Sequence, residues 1–192
     1  MSIHTYLAVQ SVDMAALADY LDHLDPATRL REVRSLSMRE QVKLFEAAAG
    51  AHPISLAHFV PARTPPLREI IHYGRNSLPA NHFFEKRFCL ADTGGDELWG
   101  YNEHRLRWLT GPGYFVLRDT GQPELAIDYT ALPPRKPDAW PPILPNSARL
   151  GRYVYYQMRD IVRAVGEHVT IGRATRNGQP LDNWFVLCRT GD

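Results

Sequence analysis

The sequence predicts an α+β fold: N-terminal helices packed on an antiparallel β-barrel or strongly curled sheet. Two observations carry this. Over the first 50 residues apolar side chains recur three and four positions apart, the stripe of amphipathic helices. Beyond a proline-interrupted stretch the period shortens to two, and short apolar runs alternate with turns rich in glycine and proline. The chain therefore divides into an N-terminal helical cap with a Pro-rich connector, 1–66, and a barrel, 67–192, which together form one folding unit.

The helices are signalled by their caps. Ser11 is the expected cap of a segment carrying Met14, Leu17, Ala18, Leu21 and Leu24 on one face. Asp25-Pro26 supplies a cap followed by proline at the first helical position and opens a short segment with Leu30 and Val33. Ser37-Met38-Arg39-Glu40 is a capping box, after which Met38, Gln41, Val42, Phe45, Ala48 and Ala49 mark one face until Gly50 stops the turn. In the connector, Pro53, Pro61, Pro65 and Pro66 leave room for one helical turn around 55–59.

Nine runs have strand character: 68–73, 83–91, 97–102, 105–109, 114–118, 125–130, 152–158, 168–175 and 184–189. Turn residues at 93–96, 111–113, 119–123 and Asn177-Gly178 join neighbouring runs closely enough for antiparallel pairs. Asn102-Glu103-His104 reads as a further hairpin tip, and 160–165, with Ile161, Val162 and Val165, reads as a short helix. Eight or nine sequential strands are best satisfied by closing the sheet, which removes exposed edges. The segment 131–147 holds six prolines around Trp140 and Ile143-Leu144. It cannot extend a sheet ladder, so it is expected to seal a barrel end or to form a lid.

In strand count and meander order this architecture resembles the calycin group, the lipocalins and fatty-acid-binding barrels. That resemblance covers about two thirds of the chain and implies ligand binding in the barrel. The lipocalin Gly-x-Trp is not found near the first strand; Trp99-Gly100-Tyr101 lies later and in another order.

Composition excludes several classes. With 44% hydrophobic and 22% charged residues, the 192-residue chain is neither disordered, fibrous nor membrane-spanning in character. Its net charge of +1 gives no bias towards nucleic acid or an anionic membrane, so neither is an expected partner. Cys89 and Cys188 lack zinc-ligand or Cys-x-x-Cys spacing, and no signal-peptide pattern opens the chain, so a reducing cytoplasm is the expected location. Nucleotide-binding loops, serine-hydrolase elbows and the His-Glu-x-x-His motif are absent, and the eight histidines make no tight ligand pair; no metal and no cofactor is expected. Arginine accounts for 19 of the 22 basic residues, with lysine only at 43, 86 and 136.

The candidate site residues are charges and tyrosines on strands. In the run 83–90 one face carries Phe83, Glu85, Arg87 and Cys89, the other Phe84, Lys86, Phe88 and Leu90. Whether the Glu85–Arg87 face turns inward to pair or meet a ligand, or outward to water, is left open by alternation alone. Glu85, Asp128 and His168 are the candidate proton-transfer groups. Arg87, Arg107, Tyr129 and Tyr155 are the candidates for a ligand's polar head. Three functions fit: binding of a small hydrophobic or amphipathic molecule; a cofactor-independent isomerase, cyclase or lyase; or a structural or protein-interaction module with a filled barrel.

Overall fold

The computed structural model describes residues 1–79, 82–94, 96–119 and 123–191. Four helices come first: α1 (Ile3–Ala8), α2 (Met14–His23), α3 (Pro26–Ser35) and α4 (Met38–Ala47). Strands β1 (Ile70–Asn76), β2 (Phe83–Leu90) and β3 (Glu97–Glu103) precede a short helix α5 (Arg107–Thr110), then β4 (Phe115–Arg118) and β5 (Leu125–Asp128). A second short helix α6 (Gly151–Val154) leads into β6 (Met158–Ala164), β7 (Val169–Arg176) and β8 (Gln179–Arg189). The eight strands pair antiparallel in chain order, and β8 pairs back onto β1 to close the barrel. This is the expected α+β architecture, in the strand count and order that the calycin resemblance implies.

The caps decide where the helices begin. Asp25 accepts hydrogen bonds from the Ala27 and Thr28 amides, with Pro26 in the first turn. Ser37 and Glu40 form the reciprocal capping box. α2 is capped by Asp13, whose carboxylate accepts from Ala16 N at 3.0 Å, rather than by Ser11: an acceptor must directly precede the first helical turn to reach its free amides. α1 was not foreseen, because six residues are too few to show a period; only Ile3 and Leu7, four apart, mark its buried face. The buried Arg29 guanidinium donates to the Leu21 and Leu24 carbonyls, each at 2.9 Å, and so closes the C-terminal end of α2.

The helices lie against the barrel's outer wall. Leu17, Leu21, Val33, Leu44 and Phe45 pack on Val169, Ile171, Val186 and Cys188, the outward side chains of β7 and β8. The connector closes one barrel end from inside, where Ile54, Phe59 and Val60 join the interior cluster of Ile70, Phe88, Leu98 and Leu187. The expected helical turn appears there as a single 3-10 turn, Leu56–His58. His72 is buried above the plug, with its Nε2 2.8 Å from the Phe59 carbonyl.

Three expected elements are corrected. The run 105–109 is helical at α5, and Trp108 is 70% exposed, so its apolar residues answer to no strand pairing. The run 152–158 begins as α6, with Tyr153 and Tyr156 exposed. The run 160–165, expected as a helix, is strand β6 as far as Ala164: Met158, Asp160, Val162 and Ala164 face inward while Ile161 and, just beyond the strand, Val165 meet the helical layer. An i, i+4 spacing fits one strand face as well as one helix face, and the β-branched Ile161 and Val162 favour the strand.

The proline-rich segment neither seals an end nor forms a lid. Trp140 and Ile143 pack on Cys89, Trp99, Tyr101, Tyr114 and Val116, the outer face of β2–β4. The Trp140 indole donates to Glu69 Oε2 at 2.5 Å, and the Tyr114 hydroxyl donates to the Pro141 carbonyl at 2.5 Å. Asn102 is no hairpin tip; it sits inside the barrel on β3. The Asn177-Gly178 turn has φ of 51° and 76°, the two positive values a tight hairpin requires. The expected turns at 93–96 and 119–123 fall in part on Gly95, Thr120, Gly121 and Gln122, which lie outside the described residues.

Candidate functional site: a buried lysine beneath the barrel mouth

Alternation on β2 turns Phe84, Lys86, Phe88 and Leu90 inward. Phe88 and Leu90 belong to the filled, plugged half. Phe84 and Lys86 belong to the half that contains a cavity of about 260 Å³. Its walls include Phe84, Tyr129, Tyr155, Met158 and Phe185, and its rim includes Leu78 from the loop after β1, Leu106 just before α5, Thr110 of α5 and Val154 of α6. Asn76, Asn102, His104, Asp160 and Asn183 add polar groups. A dry 150 Å³ cavity holds benzene, so this space admits roughly one ring with a substituent.

Glycines shape the aromatic wall. Gly74, Gly100 and Gly172 face inward, and each is the register partner of a phenylalanine on the next strand: Phe84, Phe115 and Phe185 respectively. A Cβ at any of the three would come closer than 3.0 Å to that ring. The far edge of each ring therefore lies over bare backbone.

Lys86 is enclosed by these rings. Its Nζ lies 5.7 Å from the centroid of Phe84, 5.2 Å from Phe115, 5.0 Å from Tyr129 and 5.0 Å from Phe185. Nζ donates to Asn102 Oδ1 at 2.9 Å, to Asp160 Oδ2 at 3.2 Å and to the Tyr129 hydroxyl in a close contact. The Tyr129 hydroxyl donates to Asp160 Oδ2 at 3.2 Å, while Asn102 Nδ2 donates to Tyr129 and to the Gly113 carbonyl. Lys86 and Asp160 are 3% and 6% exposed, so this ion pair stands in a low-dielectric interior. Burial pulls the Lys86 ammonium below the ordinary lysine range, and Asp160 opposes that shift. Burial first, then the Asp160 charge, raises the Tyr129 phenol well above its ordinary value.

A second polar group lies at the rim. His104 Nε2 is 2.9 Å from the Tyr155 hydroxyl and 3.3 Å from Thr110 Oγ1. Burial lowers the His104 pKa, which favours the neutral imidazole. Tyr155 stacks on Tyr129 at 5.5 Å, so the rim pair rests on the floor group.

Of the residues singled out from sequence, Tyr129 and Tyr155 line the cavity. The others do not, and each has another role. Glu85 and Arg87 are on the outer face of β2, where Arg87 bridges Glu85 at 2.7 Å and Glu69 at 3.2 Å. Asp128 also faces out, accepting from Thr130 and pairing with Arg159 at 3.1 Å. Arg107 pairs with Glu103 at 2.9 Å on α5. His168 stands at the plugged end, where its carbonyl accepts from Arg189 N. Sequence reasoning missed Lys86, Asp160, Asn102 and His104. The signal for Lys86 was present: it interrupts the more apolar face of β2, the face a core should claim.

Among the described residues no three His, Cys, Asp or Glu side chains are grouped to hold a metal ion. The chain matches no protein-family model, no curated protein and no solved structure with which it was compared.

Proposed function

We propose that the barrel binds a small amphipathic molecule, with its apolar part against Phe84, Tyr155, Met158 and Phe185 and its polar head at Lys86, Tyr129 and Asp160. The observation that carries this reading is the cavity itself: an apolar, aromatic space with a few convergent polar groups at its floor is the common form of a small-molecule site. Asn183 supports it, because its buried Oδ1 borders the cavity without a hydrogen-bond partner among the described residues. A polar ligand group offers such an atom its partner. Because the floor holds both a cation and an anion, a head with an acceptor and a donor suits it better than a simple anion. The two buried free thiols, Cys89 and Cys188, are consistent with residence in a reducing cytoplasm, and no described helix is long and apolar enough to cross a membrane.

Two measurements test this. Native mass spectrometry of the purified protein, compared with its denatured mass, is expected to reveal a retained small molecule. Thermal melts with one-ring amphiphiles such as benzyl alcohol and benzamide are expected to shift upward. At a hundred times Kd the stabilisation is about 2.7 kcal/mol, and a chain of this size gains roughly 2–4 °C per kcal/mol. No retained mass and no shift across such a panel would overturn the reading. An enzymatic reading is favoured by one observation, the mutual contact of three ionisable side chains, Lys86, Tyr129 and Asp160. It calls on those groups rather than on Glu85, Asp128 or His168.

A further inference from the structure

The lysine at the cavity floor is a chemically specific choice. Nineteen of the 22 basic residues are arginine, so the single cation placed among the four rings is one of only three lysines. An arginine fork suits bidentate capture of a carboxylate or phosphate; a lysine differs in offering a nucleophilic lone pair once it loses a proton. A buried ion pair is weak evidence of a stabilising role, since such pairs are commonly replaced by apolar residues without loss. Its immediate neighbours are those that carbonyl condensation needs: a carboxylate, Asp160, and a phenol, Tyr129, both touching Nζ and each other.

We propose that the ligand is an aldehyde or ketone and that Lys86 Nζ condenses with its carbonyl carbon to form an imine. This rests on the cavity being a binding site. Asp160 takes a proton from the Lys86 ammonium, and the freed lone pair attacks the carbonyl carbon. The C=O π electrons move to oxygen, which receives that proton from Asp160. Nitrogen of the resulting carbinolamine surrenders a second proton by the same route; its lone pair forms C=N as the C–O bond breaks, and oxygen leaves as water. Ammonium plus carbonyl thus become iminium plus water, with no net oxidation and no further reactant. The iminium inherits the ammonium's place, facing the Asp160 carboxylate and the faces of Phe84, Phe115, Tyr129 and Phe185, where a cation is favoured. The same rings limit the water that would reverse the step. Burial also disfavours the charged amine before reaction, which helps the first proton transfer.

The test is reductive trapping on the full chain. The protein is incubated with substoichiometric benzaldehyde, cinnamaldehyde or hexanal and sodium cyanoborohydride, then digested and sequenced by mass spectrometry. The expected product is a secondary amine at Lys86, formed at least tenfold faster than at Lys43, Lys136 or the N-terminal amine. Lys86→Arg keeps the charge and is expected to abolish the adduct. Should that variant not fold, excess benzyl alcohol, which fills the cavity but has no carbonyl, is expected to suppress labelling of the unmodified chain at Lys86 and not at Lys43. If benzyl alcohol raises the melting temperature but label appears only on Lys43, Lys136 and the N-terminus, the imine is overturned and the cavity stands. If neither labelling nor a thermal shift occurs, both readings fail.

Discussion

Phe185 lies over Gly172 of the adjacent strand, so near that a methyl group at position 172 would overlap its ring. Gly100 and Phe115 repeat the arrangement between β3 and β4, with the Arg87 carbonyl as an added obstacle, and Gly74 and Phe84 repeat it between β1 and β2. These three pairs differ in how freely the ring can yield. Phe115 is fully buried, whereas Phe84 and Phe185 border the cavity and can swing into it. Gly100→Ala should therefore be the most damaging, at the upper end of the ~1–3 kcal/mol of overpacking. Gly74→Ala and Gly172→Ala should cost less stability and more ligand affinity. Urea denaturation and ligand titration of the three variants check that order.

The Lys86–Asp160 pair is expected to show strong non-additivity. Lys86→Met or Asp160→Leu alone leaves a buried charge without its partner and should cost about 3–5 kcal/mol. The double variant should cost less than either, because no charge remains inside. A double-mutant cycle by urea denaturation measures the coupling.

Arg87→Ala should leave ligand binding unchanged, since Arg87 belongs to the outer wall. It releases Glu69, which holds the Trp140 indole, so the proline-rich strap should loosen. Partly exposed pairs are worth roughly 0–1 kcal/mol, so a small loss of Tm is expected. Faster amide exchange around Trp140 would report the loosening directly.

Acid should destabilise the protein through His72. Burial lowers its imidazole pKa to about 3, against about 6.5 in an unfolded chain. Between these values the unfolded state binds a proton that the folded state refuses, so stability falls as pH drops through this window, by at most ~1.4 kcal/mol per unit. His58, His104 and His168 are shifted the same way, each mainly by burial, and add to the slope. His72→Gln should lose stability at pH 8 and show a shallower decline between pH 6 and 4 in urea melts.

The fold class was legible because its signals are local. Caps at Asp25 and Ser37, the change of period after residue 66 and the Asn177-Gly178 turn each specify backbone geometry without reference to distant partners. The site was less legible because it depends on orientation. Alternation separated Lys86 from Glu85 and Arg87 correctly but could not say which set faces in, and here both faces are partly covered, one by the barrel and one by the strap carrying Trp140. Asp160 was hidden by the ambiguity of Ile161, Val162 and Val165. Tyr129 and Tyr155 were found because aromatic side chains in a strand region are cavity candidates on either face.

The line along which the barrel closes, β8 against β1, is overlaid by α3, which touches both strands, while α4 packs on β7 and β8. A ribosome delivers the chain from its N-terminus, at roughly 5–20 residues per second. Leu17, Leu21, Val33, Leu44 and Phe45 thus emerge well before Val186 and Cys188, which form part of their docking surface. Several seconds of synthesis separate the two. During that interval the apolar face of the helices lacks that part of its docking surface, and closure of the barrel must await β8.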